Sequence, residues 1–245
     1  MKIVNLFLFG SMSVLLFSCS KKDKGTPPKP VPVCQMATVS ETYSNTSSQV
    51  GFALTYGSDD KLSKVIASTD GITSLTKTYT YSGKKIYIAT DVGANSSTDT
   101  VTLNDAGMVA LDKLTTNISV FITTYSYNSN GELQSVVTQQ DNYPPSTTVY
   151  TFLNGDAVKL VTGTDTDVLG YDLNKLSVLG DLNDFHQLYY LGAFYLKNKH
   201  LVTSSKDDPN SVTYSYTYDS DGKITSVIYV NGSITTTRTY TYTCK

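Results

Sequence analysis

The sequence contains no tryptophan, only two histidines and no surplus of either charge, with 19 Lys and Arg against 21 Asp and Glu. A chain without a cationic surplus cannot displace many counterions from a polyphosphate backbone, so nucleic acid is excluded as the expected partner. Neither His186 nor His200 has a second metal ligand at a suitable spacing, so we expect both to be structural. A glycine-rich phosphate loop and a nucleophile elbow are also missing. We therefore expect no metal, no cofactor and no catalytic residues.

Long hydrophobic runs are scarce as well, and the one at the N terminus has the form of an export signal. Residues 3–17 are mostly apolar and follow the cation Lys2, which is the arrangement of a secretory signal peptide. The run is too short, and too often interrupted, for a comfortable transmembrane helix. It ends in Leu-Phe-Ser-Cys at positions 16–19, which resembles the lipobox of bacterial lipoproteins. The resemblance implies that residues 1–18 are removed and that Cys19 is acylated and anchors the protein to a membrane.

A segment rich in proline and lysine follows the lipobox. Residues 19–33 contain prolines at positions 27, 28, 30 and 32, which favour extended polyproline geometry and predict a tether. The lysines directly after Cys19 are similar to the short charged surface-export signals of some Gram-negative anaerobes. They favour display at the cell surface, and the alternative is a plain solvated spacer. The folded domain is then expected to span residues 34–245.

Cysteine is rare, and the two cysteines that remain after lipidation stand at opposite ends of the predicted domain. Cys34 and Cys244 would lie in an oxidising compartment, where an even remainder favours a disulfide. A bridge requires the first and last strands to lie within about 7 Å of each other at Cα. The alternative, two unrelated thiols, stays open on the sequence alone.

The rest of the chain repeats one short pattern, which is clearest in residues 216–227, Tyr-Thr-Tyr-Asp-Ser-Asp-Gly-Lys-Ile-Thr-Ser-Val. The second large residue of the pattern recurs at positions 56, 81, 103, 127 and 152, and a near-constant step is typical of repeated supersecondary units. Alternation places the rings on one face of a strand and Thr or Ser on the other. The Asn, Asp, Ser and Gly cluster supplies residues that tolerate a left-handed turn. Each unit is therefore predicted to be a β-hairpin.

These hairpins predict an all-β fold of about 14–16 short antiparallel strands in a meander. Strand twist of about 20–25° would curl the meander into an open or closed barrel-like sheet with the aromatic face inside. Two-residue type I′ turns are predicted at Asp70–Gly71 and Asn231–Gly232. Residues 181–191, ahead of Gly192, instead have apolar residues at helical spacing, which predicts a short helix that plugs one end of the sheet. A barrel embedded in the membrane is disfavoured, because the outer face carries Thr, Ser and Lys where lipid requires an apolar band.

The repeat and the lipobox together resemble known families. The Tyr-x-Tyr-(Asp/Asn)-x-x-Gly-x-(Leu/Ile) unit is similar to the YD repeats of large secreted shell proteins, although the chain is too short for their closed cage. The mature chain resembles a domain-of-unknown-function family of lipoproteins from Gram-negative anaerobes with a porin-like fold. The lipobox at Cys19, the hairpins and the segment 189–202 carry this resemblance. It implies a surface or periplasmic β-structure without an established activity, and it brings no catalytic residues.

Paired carboxylates are the one residue pattern that could carry acid–base chemistry. Glycoside hydrolases use two such groups, and three pairs occur, Asp59–Asp60, Asp165/Asp167 and Asp207–Asp208. All three stand in turn-like segments, where Asp is common for structural reasons. Residues 219–222, Asp-Ser-Asp-Gly, open like a calcium loop but lack its later ligands, so a turn is expected there.

Aromatic residues are the remaining binding candidates. Tyr189, Tyr190, Phe194 and Tyr195 break the repeat, and such rings suit stacking on sugars or contact with proteins; the structural alternative is that they fill the mouth of the curved sheet. The favoured hypothesis is a lipid-anchored outer-membrane protein that acts as a non-catalytic surface binding or scaffolding module, with a glycan or a surface protein as partner. The alternatives are a carrier for a sugar or small apolar ligand in the concave face, and a glycan-active enzyme.

Overall fold

The computed structural model describes residues 33–93, 95–207 and 210–245. The predictions for the signal peptide, for lipidation of Cys19 and for nearly all of the tether therefore lie outside the described residues. No helix within these ranges has the length and hydropathy of a membrane span. The regular secondary structure of the described chain consists of β-strands and one short helix.

The strands follow one another along the chain with short connections. They are β1 (Cys34–Tyr43), β2 (Gln49–Tyr56), β3 (Leu62–Thr69), β4 (Ile72–Ser82), β5 (Lys85–Val92), β6 (Asn95–Leu103), β7 (Val109–Thr115), β8 (Val120–Tyr127), β9 (Leu133–Gln140), β10 (Ser146–Leu153), β11 (Asp156–Thr162), β12 (Asp165–Leu176), β13 (His200–Asp207), β14 (Asn210–Tyr218), β15 (Ile224–Asn231) and β16 (Ile234–Cys244). The helix α1 (Asp184–Leu191) lies between β12 and β13.

The sheet closes into a barrel in which every strand pairs with its neighbours in sequence and β1 pairs with β16. All the pairs are antiparallel, so the predicted all-β meander is confirmed and its closure is decided. Cys34 and Cys244 are partners in the β1–β16 register, and a disulfide joins them. We call the end of the barrel that holds these two residues the plug end and the opposite end the far end.

Side-chain alternation explains why the repeat forms a barrel wall. In β4, Tyr79 and Tyr81 point inward and Tyr79 is buried, whereas Thr78 and Thr80 are exposed. The same alternation gives an inner apolar cluster that includes Met36 and Ile86. Burial of this face stabilises the sheet through the hydrophobic effect. The sequence prediction of an aromatic inner face is confirmed.

Turns at the plug end repeat one hydrogen-bond pattern that accounts for the Asn and Asp residues of the repeat. In the turns after β6, β8 and β14, a side-chain oxygen of Asn104, Asn128 or Asp219 accepts two backbone N–H groups at 2.9–3.0 Å. The donors stand two and four residues further along the chain. In residues 219–222 the Asp219 carboxylate is therefore used by its own turn.

Turns at the far end are shorter, and one differs from its prediction. Asp70 and Gly71 have φ values of 52° and 81°, as the predicted type I′ turn requires. The last turn, predicted at Asn231–Gly232, instead centres on Gly232–Ser233, because Asn231 pairs with Ile234. The register of β16 is also set by β1 on its other edge, so the turn sequence alone does not decide it.

Residues 177–199, which connect β12 to β13, enter the barrel at the plug end, and we call this segment the plug. Its helix begins at Asp184, three residues later than the predicted segment, and ends as predicted at Gly192, whose φ is 64° and whose N–H donates to the carbonyl oxygen of Leu188. Phe185 and Tyr189 belong to the apolar cluster of the barrel wall. The predicted plugging helix is confirmed.

The disulfide at the barrel seam provides a first test. Replacing both Cys34 and Cys244 by serine should lower the free energy of unfolding by about 2–4 kcal/mol, because the bridge closes a loop across nearly the whole domain. Urea unfolding of the wild-type and double-variant proteins measures the difference, and reduction with dithiothreitol should reproduce it. Unfolding curves that superimpose would contradict a stabilising bridge.

Candidate functional site

Gln187 holds the plug in shape from inside the barrel. This helix residue is only 2% exposed, and its Oε1 accepts the backbone N–H groups of Tyr195 and Leu196, both at 2.8 Å. Its Nε2 donates to the carbonyl oxygen of Leu196 at 2.9 Å. One buried amide therefore fixes the helix against the segment that follows it, with its donor and acceptor sides both used.

Arg238 joins the plug to the barrel wall. Its guanidinium donates from Nε to Oε1 of Glu41 at 2.6 Å and from Nη1 to the carbonyl oxygen of Leu182 at 3.1 Å. Its Nη2 lies 3.0 Å from Nε2 of His186, and since a guanidinium only donates, this nitrogen of His186 is the acceptor. Desolvation and the charge of Arg238 lower the pKa of His186 to about 4.

The hydrogen bonds of β4 show which face of α1 is turned toward the far end. Along β4, from the plug end toward the far end, Tyr81 donates to the carbonyl oxygen of Gly192, and Tyr79 donates to that of Tyr189. Two residues further toward the far end, the ammonium of Lys77 lies over the ring of Tyr190. Tyr190 therefore lies on the face of α1 directed away from the plug end. His186, one helical turn earlier, lies on the same face.

The face of α1 that holds His186 and Tyr190 is the floor of a space that the protein does not fill. Tyr190 is 56% exposed although it lies inside a closed barrel. A barrel of sixteen strands is wide enough to leave an aqueous interior, and one short helix is only about 10–12 Å across. Inward-facing Phe121 and Gln140, nearer the far end, are also partly exposed. We call the space between His186, Tyr190 and the far-end turns the chamber.

A group of polar side chains lines the chamber wall beside Tyr190. Lys77, Thr90, Asp99 and Asp112 come from the consecutive strands β4 to β7. The Lys77 ammonium lies 4.8 Å from the ring centre of Tyr189 and 5.1 Å from that of Tyr190, as in a cation–π contact. Within the described residues, Oγ1 of Thr90 and Oδ1 of both aspartates are buried without a hydrogen-bond partner.

Burial sets the charge state of this polar wall. Desolvation raises the pKa of Asp99 to about 6. Desolvation, together with the neighbouring charge of Asp99, raises the pKa of Asp112 to about 7. Desolvation lowers the pKa of Lys77, which the two carboxylates partly offset. The chamber wall therefore holds acceptor oxygens whose charge is incompletely balanced.

The structure does not bring the four aromatic candidates together on one surface. Tyr189 is buried and packs against Phe52, while the neighbouring Tyr190 faces the chamber. The Tyr195 ring packs on Tyr125 in the wall. Phe194 lines a separate pocket of about 270 Å³ within the plug, beside Asp184. Of the four rings, Tyr190 is the one that a ligand in the chamber could reach, and ligand binding there stays a prediction.

The other sequence candidates are placed away from the chamber floor. Asp59 and Asp60 lie in the turn after β2, and Asp165 lies at a far-end turn. Asp167 points inward, and its Oδ1 accepts from Ser205 at 2.7 Å. Asp208 lies outside the described residues. His200 is buried, with its Nδ1 2.6 Å from Asp156. Among the described side chains no cluster of three or more metal-ligating groups occurs.

Sequence reasoning missed the polar wall. Lys77 stands two residues before Tyr79 and Asp99 two residues before Val101, so both occupy the inward phase of their strands. Charged residues in the phase otherwise held by aromatic and aliphatic residues are the signal that could have revealed them. Proximity of Asp112 to Asp99 depends on the register of β6 with β7, which the sequence does not specify.

The closed antiparallel barrel described above is similar in fold to two crystal structures of porin-like proteins. The chain is similar to the crystal structure of a porin-like protein from Bacteroides uniformis, with a TM-score of 0.67 and 18% identity over 85% of this chain and 98% of that one. A porin-like protein from Bacteroides vulgatus gives a TM-score of 0.57 and 12% identity over 85% and 98%. Neither the protein-family models nor the curated proteins give a match. At these identities the likeness is one of fold.

The role of Gln187 in the plug can be tested by removing its amide. Gln187→Ala leaves two N–H groups and one carbonyl without their partner, so the free energy of unfolding should fall by about 2 kcal/mol or more. Gln139→Ala, at an exposed position of β9, is the matched control and should change stability little. Equal urea midpoints for the two variants would show that the amide does not hold the plug.

The raised pKa of Asp112 predicts a dependence of stability on pH. Because the folded-state pKa is about 7 against an ordinary 3.8, the folded state holds more protons than the unfolded state between these values, and stability falls as pH rises through this range. Asp112→Asn removes that loss. The stability of the variant relative to wild type should therefore increase from pH 5 to pH 8 in urea unfolding. Asp91→Asn, an exposed change at a far-end turn, is the control, and parallel profiles for D112N and wild type would disprove the shift.

Proposed function

We propose that the protein is a lipid-anchored, non-catalytic binding protein of the outer membrane that holds a small polar ligand in the chamber. The observation that carries this proposal is the exposed ring of Tyr190 inside a closed barrel, next to buried polar oxygens without partners. Binding sites combine an apolar or aromatic surface with a few converging polar groups. Compared with the surface module favoured on the sequence, this geometry gives more weight to a ligand held in the concave interior.

The polar outer surface of β14 and β16 supports a barrel that stands in water and is attached by its lipid. Outward positions of β14 and β16 are exposed Ser and Thr, as in Ser215, Thr217, Thr239 and Thr241. A membrane-embedded barrel would need an apolar band at these positions.

Absence of catalysis is part of the proposal and draws support from where the carboxylates lie. Asp59 and Asp60 lie in the turn after β2, and Asp167 is engaged by Ser205. Asp99 is 6% exposed, so it is poorly placed to exchange a proton with a scissile bond. Turnover of an oligosaccharide by the purified protein, lost in Asp112→Asn, would restore the enzyme alternative.

Accessibility of the chamber is the first test. In a Tyr190→Cys variant with the Cys34–Cys244 disulfide intact, a small cationic thiol reagent should modify residue 190 in the folded protein within minutes. Phe185→Cys, at a buried position of the same helix, is the control and should react only on unfolding. An unreactive thiol at position 190 of a folded barrel would contradict an accessible chamber.

Binding itself is tested with a panel of oligosaccharides, diamines and dicarboxylates in saturation-transfer NMR. At least one class of compound should bind the wild-type protein, and its affinity for Tyr190→Ala should be about tenfold lower or more. This loss is expected because burial of an aromatic contact contributes more than about 1 kcal/mol. Tyr87→Ala, at an exposed position on the outer face, should leave binding unchanged. A panel with no Tyr190-dependent binder would reject the proposal.

Scaffolding is the second candidate function, and exposed apolar residues at the far end favour it. Ile72, Ile118 and Tyr143 stand at or beside three far-end turns and are largely exposed, as residues of protein contact sites often are. Under this alternative, Ile72→Ser with Ile118→Ser would abolish retention of a surface protein while binding in the chamber persists. Under the main proposal the same variant retains its small ligand.

A further inference from the structure

The far end of the barrel carries a strong excess of negative charge. Among its described turns and strand ends, five connections carry an exposed carboxylate, whereas Lys206 is the single exposed cation. The carboxylates are Asp70, Asp91, Asp141, Asp165 and Asp207. The lysines of the domain instead concentrate around the plug end. Like charges around an entrance attract ligands of opposite sign and raise their local concentration. The entrance to the chamber therefore favours a cation.

The interior has the same sign as the entrance. Glu41 and Arg238 form an ion pair and balance each other. Lys77 supplies one positive charge against the two carboxylates of Asp99 and Asp112, and none of these three forms a direct ion pair among the described residues. Asp167 adds a further inward carboxylate. One more positive charge in the chamber would therefore reduce an imbalance that is already present.

The wall beside Tyr190 holds buried oxygens without hydrogen-bond partners. Asp99 and Thr90 are 6% and 8% exposed, and Oδ1 of the first and Oγ1 of the second have no hydrogen-bond partner. A buried acceptor without a donor is unfavourable, so the wall is chemically incomplete as it stands. An ammonium group offers three donors and no acceptor.

The same wall already holds one ammonium of its own. Lys77 lies over the faces of Tyr189 and Tyr190 at 4.8 and 5.1 Å, which shows that these rings accept a cation inside the barrel. More than half of the Tyr190 surface stays exposed. A second cation can therefore approach this ring from the chamber.

We infer that the chamber binds a small organic cation, a primary amine or diamine, whose ammonium lies against Tyr190 and Asp112 with Asp99 behind it. This inference rests on the proposed function and names the ligand class of the same site. Asp112 is the group in contact, because it is less buried than Asp99. The other titratable groups around the pair are Lys77 and Tyr79 on β4, Tyr125 on β8, and Tyr189 and Tyr190 on α1.

Calorimetry with 1,4-diaminobutane, and with 1,4-butanediol and succinate as neutral and anionic probes of similar length, tests the inference. The diamine should bind the wild-type protein, and the diol and succinate should not. The affinity for the diamine should fall as the salt concentration rises. It should also fall from pH 8 to pH 5, as Asp112 takes up a proton. Asp112→Asn should lower the affinity for the diamine by about tenfold or more, since it removes a charge-assisted hydrogen bond. Asp105→Asn, at an exposed plug-end carboxylate that pairs with Lys84, should leave it unchanged.

A second variant, with the opposite expected effect on diamine affinity, keeps the inference testable if Asp112→Asn folds poorly. Lys77→Met removes the internal competitor and should tighten diamine binding several-fold. The inference of a cationic ligand would be overturned if the diol bound as tightly as the diamine or if succinate bound. It would also be overturned if the affinity for the diamine were unchanged in both D112N and K77M. Binding of a neutral sugar that depends on Tyr190, without diamine binding, would overturn the ligand class and leave the proposed function standing. Failure of these three probes and of the whole panel of oligosaccharides, diamines and dicarboxylates would overturn both the ligand class and the proposed function.

Discussion

The antiparallel pairing of β1 with β16 closes the sheet, and the other main features of the molecule require this closure. Once these strands meet, no sheet edge is left to pair with another chain, and side-chain alternation divides the molecule into an inside and an outside. Glu41 and Arg238 face each other across this seam, so the inner wall carries an ion pair where the first and last strands join. The interior that closure creates is too wide for the wall residues to fill, and the plug occupies one end of it.

The inner wall has two zones with different physical demands. Near the plug, residues such as Tyr79 and Ile86 bury apolar surface against the helix, which stabilises both. Toward the far end, Lys77, Asp99 and Asp112 occupy the same inward phase, where burial penalises their charged forms. Departures from the local rule that buried positions are apolar are expected at functional sites. This is why the chamber, and not the tyrosine-rich zone around the plug, is the candidate site.

Local features of the sequence were sufficient for much of the fold. The Tyr-x-Tyr alternation and the Asn or Asp turns predict hairpins because both act within a few residues, and Gly192 ends the helix for the same reason. The turn between β15 and β16 was predicted one residue too early because β16 is held on two edges. The aromatic candidates were partly informative, since Tyr190 faces the chamber while Tyr189 and Tyr195 pack into the wall. Nothing local distinguishes these neighbours.

Periodicity and turn chemistry are properties of adjacent residues, so the kind of each element and its inner and outer faces could be predicted from the sequence. Three further features follow from the three-dimensional packing alone: the meander closes, the plug lies inside it, and Lys77, Asp99 and Asp112 share one wall with Tyr190. These contacts depend on strand register, because they join strands and a helix far apart in the chain and their positions follow from backbone pairing summed around the whole barrel.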